Sequence, residues 1–377
     1  MLCELGRRFK LAVIGGISFM TRRPPKPSRL RVSGALFLSL IKRALVALAI
    51  SYPLALLAVL GLLAWVGENH WLTTLALYVP RLPLLAPLPL LSVALLIVRR
   101  KALLWTQALA LVILLFPLMG FVLPWRPARA DAFTFRVFSL NASNGQFGYE
   151  LIGREILRIR PDVAFLQEAV HAPELIETLE AHYPYVDHDD QFIVASRFPI
   201  EERTDPERLS YRGRQRGARY RRYRLTTPLG PMAFYSVHPA SPRGVLNMHR
   251  FRGIFGRLRR GELFEGDPAE DVGYNTGHRA LQVEAFAKGA RAESLPVVIV
   301  GDTNLPGLSK TFRRNLSEFQ DGFVAAGSGF GYTFPAKYPW MRIDRVLVSQ
   351  GLRVVSFGVD CKGASDHLCV TAEIQRR

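Results

Sequence analysis

The sequence predicts N-terminal transmembrane helices followed by an α/β domain. Three observations support this. The chain of 377 residues has a positive mean hydropathy of +0.12. Ala44–Val66 runs 23 residues without a charged side chain. After residue 131, short apolar strands alternate with amphipathic helices and no further long apolar segment occurs. The length therefore accommodates a membrane region and one catalytic-sized domain.

Residues 1–43 form a basic segment with ten Lys or Arg and one acidic residue. Basic pairs and prolines alternate in it, as in TRRPPKPSRLR, which is typical of a cytoplasmic tail. Half of the net charge of +18 lies here. The high pI is therefore weak evidence for nucleic-acid binding.

Three apolar segments are predicted between residues 44 and 124. A charge-free helix as long as Ala44–Val66 exceeds the roughly 30 Å hydrocarbon core. The region Leu72–Val98 is interrupted by prolines and Arg81, so its dependable part is Leu82–Val98, with Arg81 at the interface. Ala102–Pro124 is again charge-free.

The distribution of basic residues sets the predicted orientation. The N-terminal segment and the loop at residues 99–101 hold thirteen Lys or Arg, against two in the other flanking segments. The positive-inside rule places these two segments in the cytoplasm and everything after Trp125 outside. We therefore expect a multi-pass protein of the cytoplasmic membrane with an extracytoplasmic domain. If the proline-rich second segment does not insert, the domain lies inside instead.

Residues 131–377 form the predicted α/β domain. Its strands and helices are read from the apolar spacing. The predicted strands are Phe133–Leu140, Asp162–Leu166, Pro231–Val237, Pro296–Val300, Ile343–Val348 and Val370–Ile374, and the predicted helices are Tyr149–Arg160 and His278–Arg291.

The segment Leu295–Pro306, LPVVIVGDTNLP, organises this domain. Its apolar run predicts a strand buried on both faces, which Gly301 ends. Asp302 and Asn304 follow at the carboxyl end, where α/β sheets usually bind ligands. An ordinary turn is the competing interpretation, because Gly, Asp and Asn favour turns everywhere.

Polar residues recur at the ends of the other strands, and each also has an ordinary explanation. Asn141 is typical of a turn, Glu168 of a surface charge, His238 of a hydrogen-bonded core histidine and Asp344 of a cap. Asp366 and His367 precede the last strand. The order and spacing of the whole set favour a shared site over eight unrelated residues.

The segment Arg208–Arg224 contains eight arginines, three tyrosines and no acidic residue. Three interpretations stay open. Aromatic side chains among arginines stack on nucleic-acid bases, a basic segment binds anionic headgroups beside a membrane, and a solvated hairpin has no ligand.

Cys361 and Cys369 are eight residues apart. They either pair in an exported domain or remain two buried thiols.

The motifs FSLNASNG, VAFLQEAV, FYSVHPASP, VVIVGDTNLPG, RIDRVLVS and GASDHLCV resemble those of the endonuclease/exonuclease/phosphatase superfamily. They extend from about residue 133 to 375, and the pair GDTN and SDH is specific in order and separation. The resemblance implies a four-layered α/β sandwich of the DNase I-like type and metal-dependent hydrolysis of phosphoester bonds.

The resemblance also implies a role for each residue. Glu168, Asn141 and Asp366 would form the metal site for Mg²⁺ or Mn²⁺, hard cations that prefer oxygen ligands. Asp302 would deprotonate the attacking water, and Asn304 and His238 would hold phosphate oxygens. His367, oriented by Asp344, would donate to the phosphoryl oxygen or the leaving group.

Some positions depart from the family pattern. Thr303 and Arg345 stand where other side chains are common, and Ser143 replaces an acid that some relatives carry, which argues against a second permanent metal site. The three apolar segments narrow the resemblance to membrane-anchored bacterial members similar to the VanJ-like teicoplanin-resistance proteins. In that group Ser241, Pro242 and Arg243 would contact substrate phosphate, and TGHRALQV at 276–283 would form a helix.

The sequence thus favours a membrane-anchored phosphoesterase whose partners are the lipid bilayer and a phosphorylated, lipid-linked substrate. A membrane-tethered nuclease is the alternative, and a catalytically inactive membrane scaffold is a third. Nothing in the sequence indicates an obligate protein partner.

Overall fold

The computed structural model describes residues 34–123, 133–243 and 268–377. The predicted tail at residues 1–33 lies outside the described residues. The chain divides into two compact units, one ending at Ala44 and the other comprising Leu45–Arg377. The second unit contains both the apolar N-terminal region and the α/β domain.

Two helical segments have the length and apolarity to cross a membrane, Leu36–Asn69 and Lys101–Leu118. A third crossing requires that Trp71–Tyr78 and Leu82–Ile97 form one span, although they meet at a bend of 82°. The helices of this region are α1 (Gly34–Gly61), α2 (Trp71–Tyr78), α3 (Pro87–Ile97) and α4 (Leu104–Ile113).

These bounds correct two predictions and agree with a third. Helix α1 begins at Gly34 rather than at residue 44, so Lys42 and Arg43 are helical. The region Leu72–Val98 is interrupted as predicted, since Pro80 and Pro83 flank a break, and its second part, Leu82–Ile97, is close to the predicted Leu82–Val98. The third helical segment ends at Leu118 rather than at residue 124, since Val122 forms a β-bridge with Gly329.

The α/β domain contains two six-stranded sheets. The first has the order β13-β14-β1-β2-β4-β3 and the second β11-β12-β10-β9-β8-β5, while β6 and β7 form a separate hairpin. The strands are β1 (Phe135–Asn141), β2 (Val163–Gln167), β3 (Tyr185–Asp189), β4 (Phe192–Ser196), β5 (Ile200–Thr204), β6 (Leu209–Tyr211), β7 (Arg214–Arg216), β8 (Tyr220–Thr227), β9 (Gly230–Val237), β10 (Val297–Asp302), β11 (Gln320–Asp321), β12 (Asp344–Val348), β13 (Leu352–Asp360) and β14 (Cys369–Arg376).

Five helices accompany the sheets. They are α5 (Tyr149–Ile159), α6 (Pro173–Glu180), α7 (Pro268–Ala292), α8 (Lys310–Leu316) and α9 (Gly322–Ala326). Helix α7 begins ten residues before the predicted His278, within a sequence of low apolar periodicity. All eight predicted strands and helices of the domain are present, and apart from the start of α7 the shifts in their ends are small.

The burial pattern gives the order of layers. One core cluster joins the inner faces of both sheets, with Phe165 stacked on Phe234 at 5.5 Å. A second cluster packs α5 and α6 on the outer face of the first sheet, and a third packs α7 and α8 on the second sheet. The expected four-layered, DNase I-like sandwich is therefore confirmed.

The apolar N-terminal region packs directly on this domain. Leu77 and Leu114 share an apolar cluster with Phe334 and Ile343. Trp340 Nε1 donates to the Tyr78 carbonyl at 3.1 Å. Both regions therefore belong to one packed body.

Candidate active site

Sheet topology brings the predicted site residues to one edge. Strands β1 and β2 are parallel, and so are β9 and β10. The polar residues Asn141, Glu168, His238 and Asp302 lie at or just after their carboxyl ends. Strands β14 and β12 run antiparallel to β1 and β10, so the residues at or before their starts meet the same edge. These are Asp366, His367 and Asp344.

Only glycine fits at position 301 in β10. Its φ is +136°, and a Cβ there would lie 2.2 Å from the Val237 carbonyl oxygen. Glycine permits both the backbone conformation and the close parallel pairing with β9. This tight pairing sets Asp302 beside His238.

Asp302 is buried, and both of its carboxylate oxygens accept hydrogen bonds. Oδ1 accepts from the Asn304 backbone N–H at 2.8 Å and Oδ2 from Asn141 Nδ2 at 3.1 Å. Burial, followed by the Asp344 charge, raises the pKa of Asp302. The group is thus a better proton acceptor than an exposed aspartate.

His367 and Asp344 form a buried dyad. Asp344 Oδ2 lies 2.9 Å from His367 Nδ1, and the Phe334 ring lies 4.7 Å from the imidazole. Burial alone would lower the pKa of His367, but the Asp344 and Asp302 carboxylates raise that pKa to about 9. The imidazole is therefore cationic at neutral pH, and its Nε2–H is available as a donor.

Glu168 adopts a positive φ of 49°, and its Oε1 lies 3.1 Å from His238 Nε2. Burial opposes ionisation of this carboxyl, but His238 and Arg243 lower its pKa to about 2. The carboxylate is ionised under all ordinary conditions. Strained backbone at such a position is typical of functional sites.

Asn141 and Asn304 connect the two sheets around Asp302. Asn141 Oδ1 accepts from the Ser143 backbone N–H at 2.9 Å, while its Nδ2 reaches Asp302. Asn304, at φ 51°, donates from Nδ2 to the Pro239 carbonyl at 3.0 Å. An amide nitrogen has two N–H bonds, so Asn304 keeps a second donor.

Asp366 forms an ion pair with Arg243, which was predicted to contact substrate phosphate. Arg243 Nη2 lies 2.9 Å from Asp366 Oδ2 and 2.9 Å from His367 Nε2. The Arg243 guanidinium also lies 4.7 Å from the centroid of the Phe334 ring. Arg243 therefore contacts both a predicted metal ligand and the imidazole of the buried dyad.

The predicted metal ligands Glu168, Asp366 and Asn141 offer oxygen donors, which hard divalent cations prefer. Among the described residues, Asp302, Asp344 and His367 form the group whose candidate ligand atoms lie within 4.8 Å of one another. Their nearest atoms are engaged, since Asp344 binds His367 and Asp302 accepts two N–H donors. The carboxylates of Glu168 and Asp366 are 16% and 26% exposed, and they face His238 and Arg243 respectively. These two carboxylates, with Asn141, remain the predicted metal site.

Sequence reasoning missed two residues behind His238. Arg219 Nη2 lies 3.1 Å from His238 Nδ1, and Gln191 Oε1 lies 2.5 Å from the same atom. Arg219 was visible only as part of a basic segment, and Gln191 lies in the turn between β3 and β4. Neither carries a motif, so only the tertiary structure identifies them.

Helix α7 holds the loop that follows His238. Gln282 Oε1 accepts from the Ala240 backbone N–H at 2.7 Å, and Arg279 Nη1 donates to the Ala240 carbonyl at 2.9 Å. Both residues belong to TGHRALQV, for which a helix was predicted. The motif therefore positions the backbone beside the site.

Two of the residues that depart from the family pattern brace residues 303–305, the loop after β10, which we call the catalytic loop. Thr303 donates from Oγ1 to the Ile343 carbonyl at 2.7 Å. Arg345 is buried, pairs with Asp321 at 2.6 Å and donates to the Leu305 carbonyl at 3.2 Å. Both substitutions thus have a structural function.

Four of the eight arginines in Arg208–Arg224 pair with carboxylates. Arg221 pairs with Asp189 at 2.6 Å and Arg222 with Glu293 at 2.6 Å. Further pairs join Arg212 to Glu270 and Arg224 to Glu201. The acidic partners come from elsewhere in the chain, which the composition of the segment alone did not indicate.

The tyrosines of that segment are also engaged. Tyr223 is a core residue that donates to Asp187, Tyr220 packs on Phe286, and Tyr211 stacks on His278. This packing is contrary to the idea of an open series of base-stacking rings.

Cys361 and Cys369 form a disulfide with a Cα–Cα distance of 5.4 Å. The sequence had left open whether they pair. The closed loop contains Asp366 and His367, so the bridge restrains two predicted site residues.

The sequence model of the Endonuclease/Exonuclease/phosphatase family matches residues 134–367. No curated protein matches the chain.

Three similar solved structures each cover 64% of this chain. An endonuclease/exonuclease/phosphatase from Beutenbergia cavernae is 18% identical, with 64% of this chain and 72% of that chain covered and a TM-score of 0.46. Truncated TDP2 of Caenorhabditis elegans is 19% identical, with coverage of 64% and 98% and a TM-score of 0.46. A mannosyl-6-phosphatase from Bacteroides thetaiotaomicron is 16% identical, with coverage of 64% and 99% and a TM-score of 0.46.

Proposed function

Because this chain belongs to the Endonuclease/Exonuclease/phosphatase family, whose members are metal-dependent hydrolases of phosphoester bonds, we propose that it is a membrane-anchored phosphoesterase. Its substrate is a lipid-linked phosphate ester or anhydride at the extracytoplasmic face. The three apolar segments ahead of the domain favour a similarity to the membrane-anchored, VanJ-like members of the family.

One observation carries the proposal. The Tyr78 hydroxyl, at the end of α2, donates to the Asn304 carbonyl in the catalytic loop at 3.0 Å. The apolar region therefore contacts the backbone of a predicted catalytic residue. A site fixed this close to membrane helices meets lipid substrates at a high effective concentration.

Two independent observations support the extracytoplasmic side. The basic residues favour a cytoplasmic N terminus and the 99–101 loop on the same side. The Cys361–Cys369 disulfide favours an oxidising compartment, since disulfides are rare in the reducing cytosol.

Each predicted site residue has its own role in the proposed hydrolysis. Asp302, with its raised pKa, accepts the proton of the attacking water. His238 and the second N–H of Asn304 hold phosphate oxygens. His367 donates from Nε2 to the phosphoryl or leaving-group oxygen, while Asp344 fixes its orientation through Nδ1.

Glu168, Asp366 and Asn141 would hold Mg²⁺ or Mn²⁺, which supplies Lewis-acid polarisation of the phosphate and neutralises its charge. Arg243 orients the substrate. Its guanidinium is 39% exposed and reaches both Asp366 and His367. With His367 protonated, its Nε2–H and the Arg243 guanidinium are both donors, and an anionic phosphate oxygen that accepts from each relieves their mutual repulsion.

The alternative, a membrane-tethered nuclease, depended chiefly on Arg208–Arg224. The ion pairs of that segment weaken this alternative, because four of its eight arginines already have carboxylate partners and fewer are left to contact DNA phosphates.

The test compares substrates with purified full-length protein in detergent and Mg²⁺ or Mn²⁺. We expect phosphate release from polyprenyl pyrophosphate to exceed cleavage of single- or double-stranded DNA and to change little with salt. Cleavage of DNA that falls steeply with salt, without lipid turnover, would replace the proposal with the nuclease.

A further inference from the structure

A cavity lies where the apolar N-terminal region meets the α/β domain. Its volume is about 90 Å³, which holds several water molecules or one small anion. The wall from the apolar region includes Leu77, Arg81 and Leu118. The wall from the domain includes Gly307, Tyr332 and Arg342. The cavity is separate from the carboxylates and histidines of the catalytic site.

Arg81 is the unusual residue of this cavity. It lies in the break between the two bent helical segments, and its Nη1 donates to the Leu118 carbonyl at 2.6 Å. Its Nε and Nη2 atoms are buried and have no hydrogen-bond partner in the described chain. A buried guanidinium with unused N–H groups is unfavourable unless an anion or water satisfies it.

The charged side chains that line the cavity are all positive. Two arginines and no acidic residue line the cavity. Arg342 has a carboxylate partner in Asp321, but Asp321 also pairs with Arg345 and so serves two cations. Across the described residues, Arg81 has no carboxylate within ion-pair distance. The cavity wall therefore carries positive charge in excess.

The position of the cavity indicates the kind of anion. The residues around Arg81 belong to the ends of apolar helices, and Leu77 and Leu118 are apolar neighbours. Lipid phosphates lie at this depth, and a guanidinium binds phosphate oxygens through paired N–H donors.

We propose that Arg81 and its cavity bind the phosphate group of a membrane lipid, at a site distinct from the catalytic centre. The proposal rests on the proposed function only in that the apolar region lies in a membrane. Pro306 and Gly307 line the cavity and follow the catalytic loop directly, so a bound lipid phosphate would also hold that loop against α2.

The test measures binding rather than turnover. Full-length Asp302→Ala protein in detergent serves as the parent, so that hydrolysis does not consume the ligand. Its affinity for phosphatidic acid is measured by native mass spectrometry and by thermal stabilisation, with phosphatidylcholine for comparison. Inorganic phosphate is measured in parallel by thermal stabilisation.

Arg81→Gln is expected to weaken phosphatidic acid binding at least about tenfold, and Arg81→Lys to retain part of it. Arg100→Gln, an exposed arginine between α3 and α4, is expected to bind like the parent. Without ligand, Arg81→Gln should melt no lower than the parent, because it removes a buried, uncompensated charge.

Thermal stabilisation by both phosphatidic acid and inorganic phosphate would show that the phosphate group alone is recognised. Stabilisation by phosphatidic acid only would show that the acyl chains contribute. Binding unchanged in Arg81→Gln would overturn the proposal. A lower melting temperature of the ligand-free variant, with unaltered ligand stabilisation, would also overturn it by showing a purely structural role. Binding at Arg81 without lipid turnover by the wild type would uphold this site while contradicting the proposed function.

Discussion

Asp344 Oδ2 lies 2.9 Å from His367 Nδ1, and both side chains are buried at the edge shared by the two sheets. The pair comes from opposite sheets, since Asp344 begins β12 and His367 precedes β14. Correct packing of the sandwich is therefore required to assemble it. The hydrogen bond leaves Nε2 of His367 facing Arg243 and the proposed phosphate position.

Replacing Asp344 with Asn should impair catalysis more than substrate binding. The amide cannot stabilise the imidazolium and permits the wrong ring orientation, so we expect kcat to fall roughly 10²–10⁴-fold with a small change in KM. Steady-state kinetics of the full-length protein measure this. Asp205→Asn, at an exposed ion pair, is the matched control and should behave like wild type. Equal kcat in the two variants would remove Asp344 from the mechanism.

Replacing Asp321 with Asn should destabilise the fold. Asp321 lies 2.7 Å from Arg342 and 2.6 Å from Arg345, and the change leaves Arg345 buried without a counter-charge. Loss of one partner of a buried pair costs about 3–5 kcal/mol. This corresponds to a melting temperature roughly 6–20 °C lower for a domain of this size. A shift no larger than that of Asp205→Asn would contradict the assignment.

The ionisation of Asp321 predicts that the stability of the fold depends on pH. Burial would raise the pKa of Asp321, but Arg342 and Arg345 lower it below its ordinary value. Its folded pKa is therefore below its unfolded pKa of about 3.9. The stabilisation is present above pH 4 and is lost as the pH falls through the depressed folded value. Melting curves from pH 7 to pH 3 should show this loss in wild type and a smaller loss in Asp321→Asn. Parallel curves would contradict it.

Reduction of the Cys361–Cys369 bridge should lower both stability and activity. The closed loop spans eight residues and contains Asp366 and His367. In the chain-entropy model a loop of this length contributes about 2.5 kcal/mol. We expect dithiothreitol to lower the melting temperature and kcat of wild type. A Cys361→Ser, Cys369→Ser variant should start at the lower values and not respond to the reductant. An equal response of both proteins would contradict the role of the bridge.

Gly301→Ala tests the close pairing that places Asp302. Its Cβ would lie 2.2 Å from the Val237 carbonyl oxygen in a backbone with φ +136°. Both effects oppose the substitution, so we expect a clearly lower melting temperature and loss of activity. Gly351→Ala is the control, since nothing lies within 4 Å of its added Cβ and its φ is ordinary. Comparable melting temperatures would show that β9 and β10 separate without cost.

The sequence predicted much of the fold because its signals were local. The apolar run before Gly301 identified β10, and polar residues after strands identified the shared edge. Helix α7 was predicted ten residues too short, since tertiary packing rather than periodicity supports its first turns. The bend after Tyr78 was indicated by its prolines, but its angle depends on contacts with the domain.

The unpredicted parts of the site depend on long-range contacts. Arg219 reaches His238 only because β8 pairs with β9. The acidic partners of Arg221 and Arg222 lie on β3 and just beyond α7, far away in sequence. A count of charges within one segment cannot show such neutralisation.

The most direct test of the account is the initial rate of Mg²⁺-dependent phosphate release from polyprenyl pyrophosphate by purified full-length protein, compared with Asp302→Ala. Glu174→Gln, an exposed carboxylate on α6, controls for the loss of a charge. We expect turnover by wild type and Glu174→Gln, its loss on removal of the metal by a chelator, and a rate at least about 10²-fold lower in Asp302→Ala. Turnover that survives Asp302→Ala would contradict the assignment of Asp302 as the group that activates water.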